Sequence, residues 1–148
     1  MLSDKFAKLW LTMQHDYEAY MAEELEPDLT SVQLHTLELI QELEAAKSSD
    51  LIAHLEISPA AISTLVDRME KNGLLVRQRD EFDRRIVWLQ VTEKGKAAYE
   101  RGMEIRRQYF AGRLQALSQH NQKLLCFLFA KITPDSEQQP PDVKAQSK

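Results

Sequence analysis

The sequence predicts a mainly α-helical chain with one small β-hairpin. Helix limits are written into it: Thr30-Ser-Val-Gln33 has capping-box spacing, and Ser58-Pro59 and Asn72-Gly73 bracket a single segment. Inside that segment Ile62, Leu65, Val66 and Met69 fall at i, i+3, i+4 and i+7, which is one buried helical stripe. The period then changes. Leu74 to Arg79 and Ile86 to Val91 are β-branched or alternating runs around Asp80-Glu-Phe-Asp-Arg-Arg85.

With 148 residues and 43% hydrophobic content the chain suits one domain with a real core, expected to be soluble and cytoplasmic. No apolar run is long enough to span a bilayer, and Asp4 and polar neighbours stand where a secretory signal would be apolar. No membrane partner is expected. The single cysteine, Cys126, gives no disulfide framework, and its apolar surroundings predict an inert buried thiol. The net charge of −4 is unevenly spread: residues 1–56 hold 3 basic and 12 acidic residues, residues 57–96 hold 8 and 6, and residues 97–148 hold 8 and 5. A polyanion would meet the local charge of the middle stretch rather than the total.

Taken in order, Leu2 to Glu24 is a long helical pattern. Its stripe of Leu2, Phe6, Leu9, Trp10, Met13, Tyr17, Tyr20 and Met21 is wider than one neighbour needs, so part of it is expected to meet a second chain. Pro27 ends the segment. The helix capped at Thr30 buries Leu34, Leu37, Ile40 and Leu43 and supports the two short helices after it. Ser48 or Ser49 caps the first of these, with Leu51, Ile52 and Leu55 inward, and only Glu56 and Ile57 separate it from Ser58. Ser58 caps the next helix, Pro59 sits where a missing N–H costs nothing, and Gly73 takes the left-handed turn that folds Leu74 back. Two short helices joined so tightly make a helix-turn-helix, with the second helix presented outward.

The hairpin tip is too long for a two-residue turn and forms a wing, with Val87, Leu89 and Val91 toward the core and Ile86, Trp88 and Gln90 opposite. Thr92 caps another long helix running to about Leu117. The last helix, Gln119 to Ile132, is apolar nearly all round through Leu124-Leu-Cys-Phe-Leu-Phe-Ala130. One small domain cannot easily cover such a helix. The first and last helices of two copies are therefore expected to interlock about a two-fold axis, through Leu2, Phe6, Leu9, Leu124, Leu125 and Leu128. The resulting division is one domain over 1–132, with a lobe at 30–92, dimerisation helices at 1–26 and 93–132, and a flexible tail at 133–148 containing Pro140-Pro141.

The exposed face of the helix that begins at Ser58 carries Ala60, Ala61, Ser63 and Thr64, then Asp67, Arg68 and Lys71. Small and hydroxylic first turns let the backbone approach a flat polar surface such as a DNA major groove, where Ser and Thr bond base edges or phosphates and Arg68 reaches a guanine or a phosphate. Arg77, on the first wing strand, joins this set. Arg84 and Arg85 at the wing tip suit insertion into a narrow minor groove, with Asp83 holding Arg85 through a bidentate pair rather than facing phosphate. An ordinary solvated helix face and a charged hairpin tip are the plain alternatives.

Leu51 to Thr92, with Ile57-Ser58-Pro59, Leu65-Val66-Asp67-Arg68-Met69-Glu70, Asn72-Gly73-Leu74-Leu75 and Asp83-Arg84-Arg85 before Leu89-Gln-Val-Thr92, resembles the winged helix-turn-helix of the MarR family of bacterial transcriptional regulators. With the flanking helices the resemblance covers roughly residues 3–132. It implies DNA contacts from the helix at Ser58 and from the wing arginines, with Asp83 and Arg85 paired. It also implies a ligand-responsive repressor that binds a near-palindromic operator as a homodimer, and small aromatic or phenolic effectors in a cleft between lobe and dimer helices. Ile52 and Glu56 stand where the family often has a small residue and then a glycine, which predicts a turn without a relaxed left-handed residue.

An enzyme is the competing class. His15, His35, His54 and His120 have no metal-ligand spacing, the lone thiol has no partner, and the four glycines make no phosphate loop or G-x-S-x-G elbow. No catalysis, metal or cofactor is expected. A second competitor is a winged-helix protein-interaction module without specific DNA binding, which differs in its response to salt.

Overall fold

The computed structural model describes residues 1–27 and 29–134. Its elements are α1 (Leu2–Glu24), α2 (Ser31–Glu42), α3 (Ser48–Leu55), α4 (Pro59–Lys71), β1 (Leu75–Arg79), β2 (Val87–Val91), α5 (Glu93–Leu114) and α6 (Gln119–Ile132). The expected mainly helical fold with one antiparallel hairpin is what forms. Two compact units divide the chain, residues 1–107 and residues 108 onward.

The first unit is built on one apolar cluster to which each element gives a stripe. Met21 comes from α1, Leu34 and Leu37 from α2, Leu51 from α3, Ile62, Val66 and Met69 from α4, and Leu75 from β1, all essentially inaccessible. Removing side chains of this size from water stabilises by roughly 1.5–3 kcal/mol each, which offsets the entropy of ordering these short elements.

Local chemistry fixes the limits of α2 and α4. Thr30 Oγ1 accepts from the Gln33 amide at 3.2 Å while Gln33 Oε1 accepts from the Thr30 amide at 3.0 Å, the reciprocal capping box. Ser58 Oγ accepts from the Ala61 amide at 3.2 Å, with Pro59 at the first helical position. At the other end Gly73 has φ +73°, its amide reaches Glu70 O at 3.0 Å, and the Leu74 amide reaches Met69 O at 2.9 Å.

The start of α3 corrects an expectation, since neither Ser48 nor Ser49 caps it. The cap position is Lys47, whose amide donates to Asp50 Oδ2 at 2.8 Å. A carboxylate on the first turn answers both the free amide and the positive end of the helix dipole, which a serine hydroxyl does less strongly. The turn into α4 does contain a left-handed residue, and it is Glu56 itself, at φ 52° and ψ 35°. A side chain in that region costs roughly 1–2 kcal/mol relative to glycine, and here the side chain is exposed to solvent.

The hairpin pairs Leu75 with Val91, Arg77 with Leu89 and Arg79 with Val87. Its strands start one residue later than expected, because Leu74 closes the end of α4 and the Ile86 amide is held by Asp83 O at 3.0 Å. Leu89 alone of the inward row is fully buried, with Val87 and Val91 half-buried. Its amide donates to Ala46 O at 2.8 Å and pins β2 to the loop between α2 and α3.

Thr92 links the hairpin to α5: its Oγ1 accepts from the Gly95 amide at 3.0 Å and donates to Gly73 O at 2.5 Å. A Cβ on Gly95 would lie 2.0 Å from Leu74 O, and one on Gly102 would lie 2.6 Å from Leu34 Cδ1. Only glycine lets the helix lie that close. Arg106 Nη1 bonds both carboxylate oxygens of Glu38 at 3.0 Å, joining α5 to α2.

In the second unit α5 ends at Leu114, earlier than the expected Leu117, because the Gln122 side-chain amide takes the Leu114 and Leu117 carbonyls at 3.0 Å each and stabilises a turn there. Ser118 Oγ caps α6 through the Asn121 amide at 3.2 Å. No residue of α6 is buried. Cys126 is accordingly exposed, which corrects the expectation of a buried thiol: its helix is apolar, but the chain supplies it no cover. Thr133 caps the end of α6, and the expected tail from residue 135 lies outside the described residues. Among the described residues no helix is long and apolar enough to cross a membrane.

Candidate nucleic-acid interface

The outward face of α4 presents Ala60, Ala61, Ser63 and Thr64, then Asp67, Arg68 and Lys71, all exposed. Ile62, Val66 and Met69 anchor the opposite side in the core, so the helix cannot roll to hide that face. Thr64 Oγ1 donates to Ala60 O at 3.1 Å and Ser58 Oγ accepts from Ala61. Each hydroxyl is oriented by its own helix and keeps hydrogen-bonding capacity toward solvent.

Arg77, expected among the DNA contacts, lies on β1 with its guanidinium between Asp67 Oδ1 at 2.6 Å and Glu70 Oε1 at 3.2 Å, and its amide bonds Glu70 Oε2 at 2.9 Å. Partial burial works against its charge, but the bond and charge of Asp67 and those of Glu70 outweigh burial and raise its pKa. The wing and α4 are tied together at this point, and the two carboxylates share one guanidinium, so the three groups together keep a net charge of about −1.

At the wing tip Asp80 gathers three donors: the Phe82 and Asp83 amides at 2.9 Å and the Trp88 indole Nε1 at 2.9 Å. Lys47 Nζ stands 5.7 Å from the centre of the Trp88 ring, within cation–π range. Asp83 then takes Arg85 by Nε and Nη2, both at 3.0 Å, and by its amide at 3.0 Å. The bidentate pair read from the sequence is present. It lowers the Asp83 pKa and raises that of Arg85. Arg85 nonetheless leaves 90% of its side chain in solvent. Arg84 is exposed beside it, its carbonyl accepting from Arg79 Nη1 at 3.5 Å.

The structure therefore gathers Ser58, Ala60, Ala61, Ser63, Thr64 and Arg68 on one helix face, holds Asp83, Arg84 and Arg85 on a tied wing, and commits Arg77 to the joint between them. The sequence did not single out Asp80, Trp88 and Lys47 as part of the site. Asp80 had a usable signal, since an aspartate two and three residues before the amides it caps is an Asx turn. The residues expected at a dimer interface are exposed in each unit: Leu2, Phe6 and Leu9 on α1, and Leu124, Leu125 and Leu128 on α6. Within the first unit a hollow of about 160 Å³ is lined by Leu25, Leu29, Ala98 and Ile105 together with Glu24, Glu26 and Arg101, the last two paired at 3.1 Å. Among the described residues no cluster of three His, Cys, Asp or Glu side chains is placed to hold a metal.

Residues 29–87 match the MarR family model. An uncharacterized HTH-type transcriptional regulator, YwhA of Bacillus subtilis, is 31% identical over 56% of this chain and 60% of its own length. The HTH-type transcriptional repressor MdtR of the same organism is 26% identical over 74% of this chain and 70% of its own. A mutant MarR from E. coli, solved in complex with operator DNA, superposes with a TM-score of 0.71 over 88% of this chain and 94% of that one; at 23% identity it bears on the fold alone. The chain spans about 60% of the length of the first of these relatives. That family model runs from the start of α2 through the helix-turn-helix to the tip of the wing, so this stretch of the chain is a winged helix-turn-helix similar to that of the MarR family of transcriptional regulators.

Proposed function

We propose that the protein is a ligand-responsive repressor that binds a near-palindromic operator as a homodimer, with α4 in the major groove and the wing tip in the adjoining minor groove. The observation that carries this reading is the pairing of Arg85 with Asp83 on a tip whose guanidinium still faces solvent. A guanidinium held by its own carboxylate loses little entropy on insertion, and a narrow A·T-rich minor groove attracts it. Ser58, Ala60, Ala61, Ser63, Thr64 and Arg68 read bases and phosphates, and Arg77 keeps helix and wing in register. Leu2, Phe6, Leu9, Leu124, Leu125 and Leu128 meet a second copy, so that two α4 helices enter successive major grooves about 34 Å apart.

Effector response is proposed on the same frame. A hollow of about 160 Å³ is near the volume that accepts a single benzene ring, and a small aromatic acid there would have to take Arg101 from Glu26, which holds it at 3.1 Å. Binding there would favour one spacing of the two lobes over another and so weaken operator binding.

Selection of bound duplexes from random-sequence DNA by the purified protein tests the reading and yields the half-site spacing. Arg85→Ala is expected to weaken binding and lower the slope of log affinity against log salt by about one. An affinity and slope equal to wild type would take the wing out of the mechanism. Binding to another protein that ignores salt, with no preferred duplex, would favour an interaction module.

A further inference from the structure

Phe82 is the residue at the wing tip that the proposed function leaves without a role. It is 96% exposed, among the most solvent-exposed large hydrophobic side chains in the described chain, yet it does not sit on a loose loop. Its amide is fastened to Asp80 Oδ1 at 2.9 Å, and the next residue, Asp83, is fastened to the same oxygen at 2.9 Å. Asp80 in turn is held by Trp88 on β2 at 2.9 Å. An aromatic ring is thus presented to water on a backbone with three tethers. A single exposed ring is common on a protein surface; this one differs in having its backbone held in place beside exposed guanidiniums, where burial in a complex would gain apolar free energy.

The neighbours of Phe82 decide the occupant. Arg84 and Arg85 lie two and three residues on and are exposed; of the nearby carboxylates, Asp83 is turned onto Arg85 at 3.0 Å through two contacts and Asp80 onto the Trp88 indole and two amides, while Glu81 is exposed. The ring therefore stands between the exposed carboxylate of Glu81 on one side and two exposed guanidiniums on the other. An apolar protein groove would have to desolvate both guanidinium groups, whereas a nucleic-acid groove meets them with phosphate. A flat ring beside paired cations matches a base step flanked by backbone.

We propose that Phe82 is an apolar wedge that presses against or between bases of the minor groove when the wing docks, partly unstacking one step and kinking the duplex there. This rests on the DNA-binding reading above and deepens it: the wing reads local deformability as well as charge, and favours a pyrimidine–purine step under its tip because such steps unstack most easily.

The test uses wild-type protein, Phe82→Ala, Phe82→Leu and Arg85→Ala on duplexes selected by the wild type, with 2-aminopurine placed in turn at each base near the ends of the bound site. Phe82→Ala is expected to bind about tenfold more weakly with an unchanged salt slope, because no phosphate contact is lost, while Arg85→Ala lowers the slope. The wild type should brighten 2-aminopurine at one step in each half-site, Phe82→Leu should retain part of that signal, and Phe82→Ala should lose it. Full exposure of the side chain predicts the same thermal midpoint for the wild type and both Phe82 variants. If the wild type binds its duplex and Phe82→Ala matches it in affinity and fluorescence, the wedge is wrong and the DNA-binding reading stands. Loss of a sedimenting complex in Phe82→Ala with DNA affinity intact would likewise overturn it, in favour of a protein contact. A wild type that prefers no duplex removes both.

Discussion

Asp80 is acceptor-only when ionised, and all of its bonds favour the anion. Its pKa lies below the ordinary 3.8, chiefly through the Trp88 indole and then the Asp83 and Phe82 amides, with burial opposing weakly. A carboxylate depressed in the folded state contributes order that is complete above its unfolded value and lost only as pH falls through the lower folded one. In a Trp10→Phe background Trp88 is the single remaining indole, so its fluorescence reports this bond. It is expected to stay constant through the ordinary carboxylate range and to change only below it. A transition centred at 3.8 or higher would mean that the indole bond does not hold in solution. Ser58 offers a second residue-scale check. Loss of its bond to the Ala61 amide in Ser58→Ala should lower stability by about 1 kcal/mol in chemical denaturation, independent of any DNA; an unchanged midpoint would show that Pro59 alone sets the start of α4.

Among the elements, α5 depends on contacts that only an absent side chain permits. At Gly95 a methyl group would meet Leu74 O at 2.0 Å and Val91 Cγ1 at 2.7 Å, backbone on one side and a strand residue on the other. Gly95→Ala is therefore expected to destabilise the first unit by about 1–3 kcal/mol, read as a lower midpoint in urea, whereas Gly112→Ala, whose Cβ would meet nothing within 4 Å, should be neutral or slightly stabilising. Equal effects of the two would refute the close approach. These contacts also mark what the sequence could not disclose. The caps of α2 and α4, the stop at Gly73 and the Asp83–Arg85 pair were legible because each joins residues at most a few positions apart, where spacing alone dictates geometry. The Gly95 approach to Leu74, the Asp80 bond to Trp88 eight residues on, and the tie of Arg77 to Asp67 ten residues back depend on how elements pack. The misread cap of α3 has the same origin in miniature: two serines compete with Asp50, and only the path of the chain from Ala46, held by Leu89, selects between them.

For the molecule as a whole, two large apolar surfaces remain to be covered. On α1 only Met21 is buried, while Leu2, Leu9 and Leu11 are each more than half exposed, and α6 has Leu124, Leu125, Leu128 and Ile132 open to solvent. Side chains left like this would destabilise a lone chain in water and favour association, the usual closed solution being a two-fold dimer. The consequence for DNA is quantitative. One lobe offers few phosphate contacts on a chain whose net charge is −4, so a single half-site should bind weakly, and joining two lobes raises the effective concentration of the second by linkage alone. Leu125→Glu with Leu128→Glu places two charges where the partner is expected and disturbs nothing buried within the chain. This variant should keep its helicity, sediment as a monomer at micromolar concentration where the wild type is expected to sediment as a dimer, and bind a full operator no better than a half-site. The wild type should prefer the full site by a factor of about 10²–10⁴. A wild type that sediments as a folded monomer, or a variant that keeps the full-site preference, would mean that the apolar faces of α1 and α6 serve another purpose and that each chain meets DNA alone.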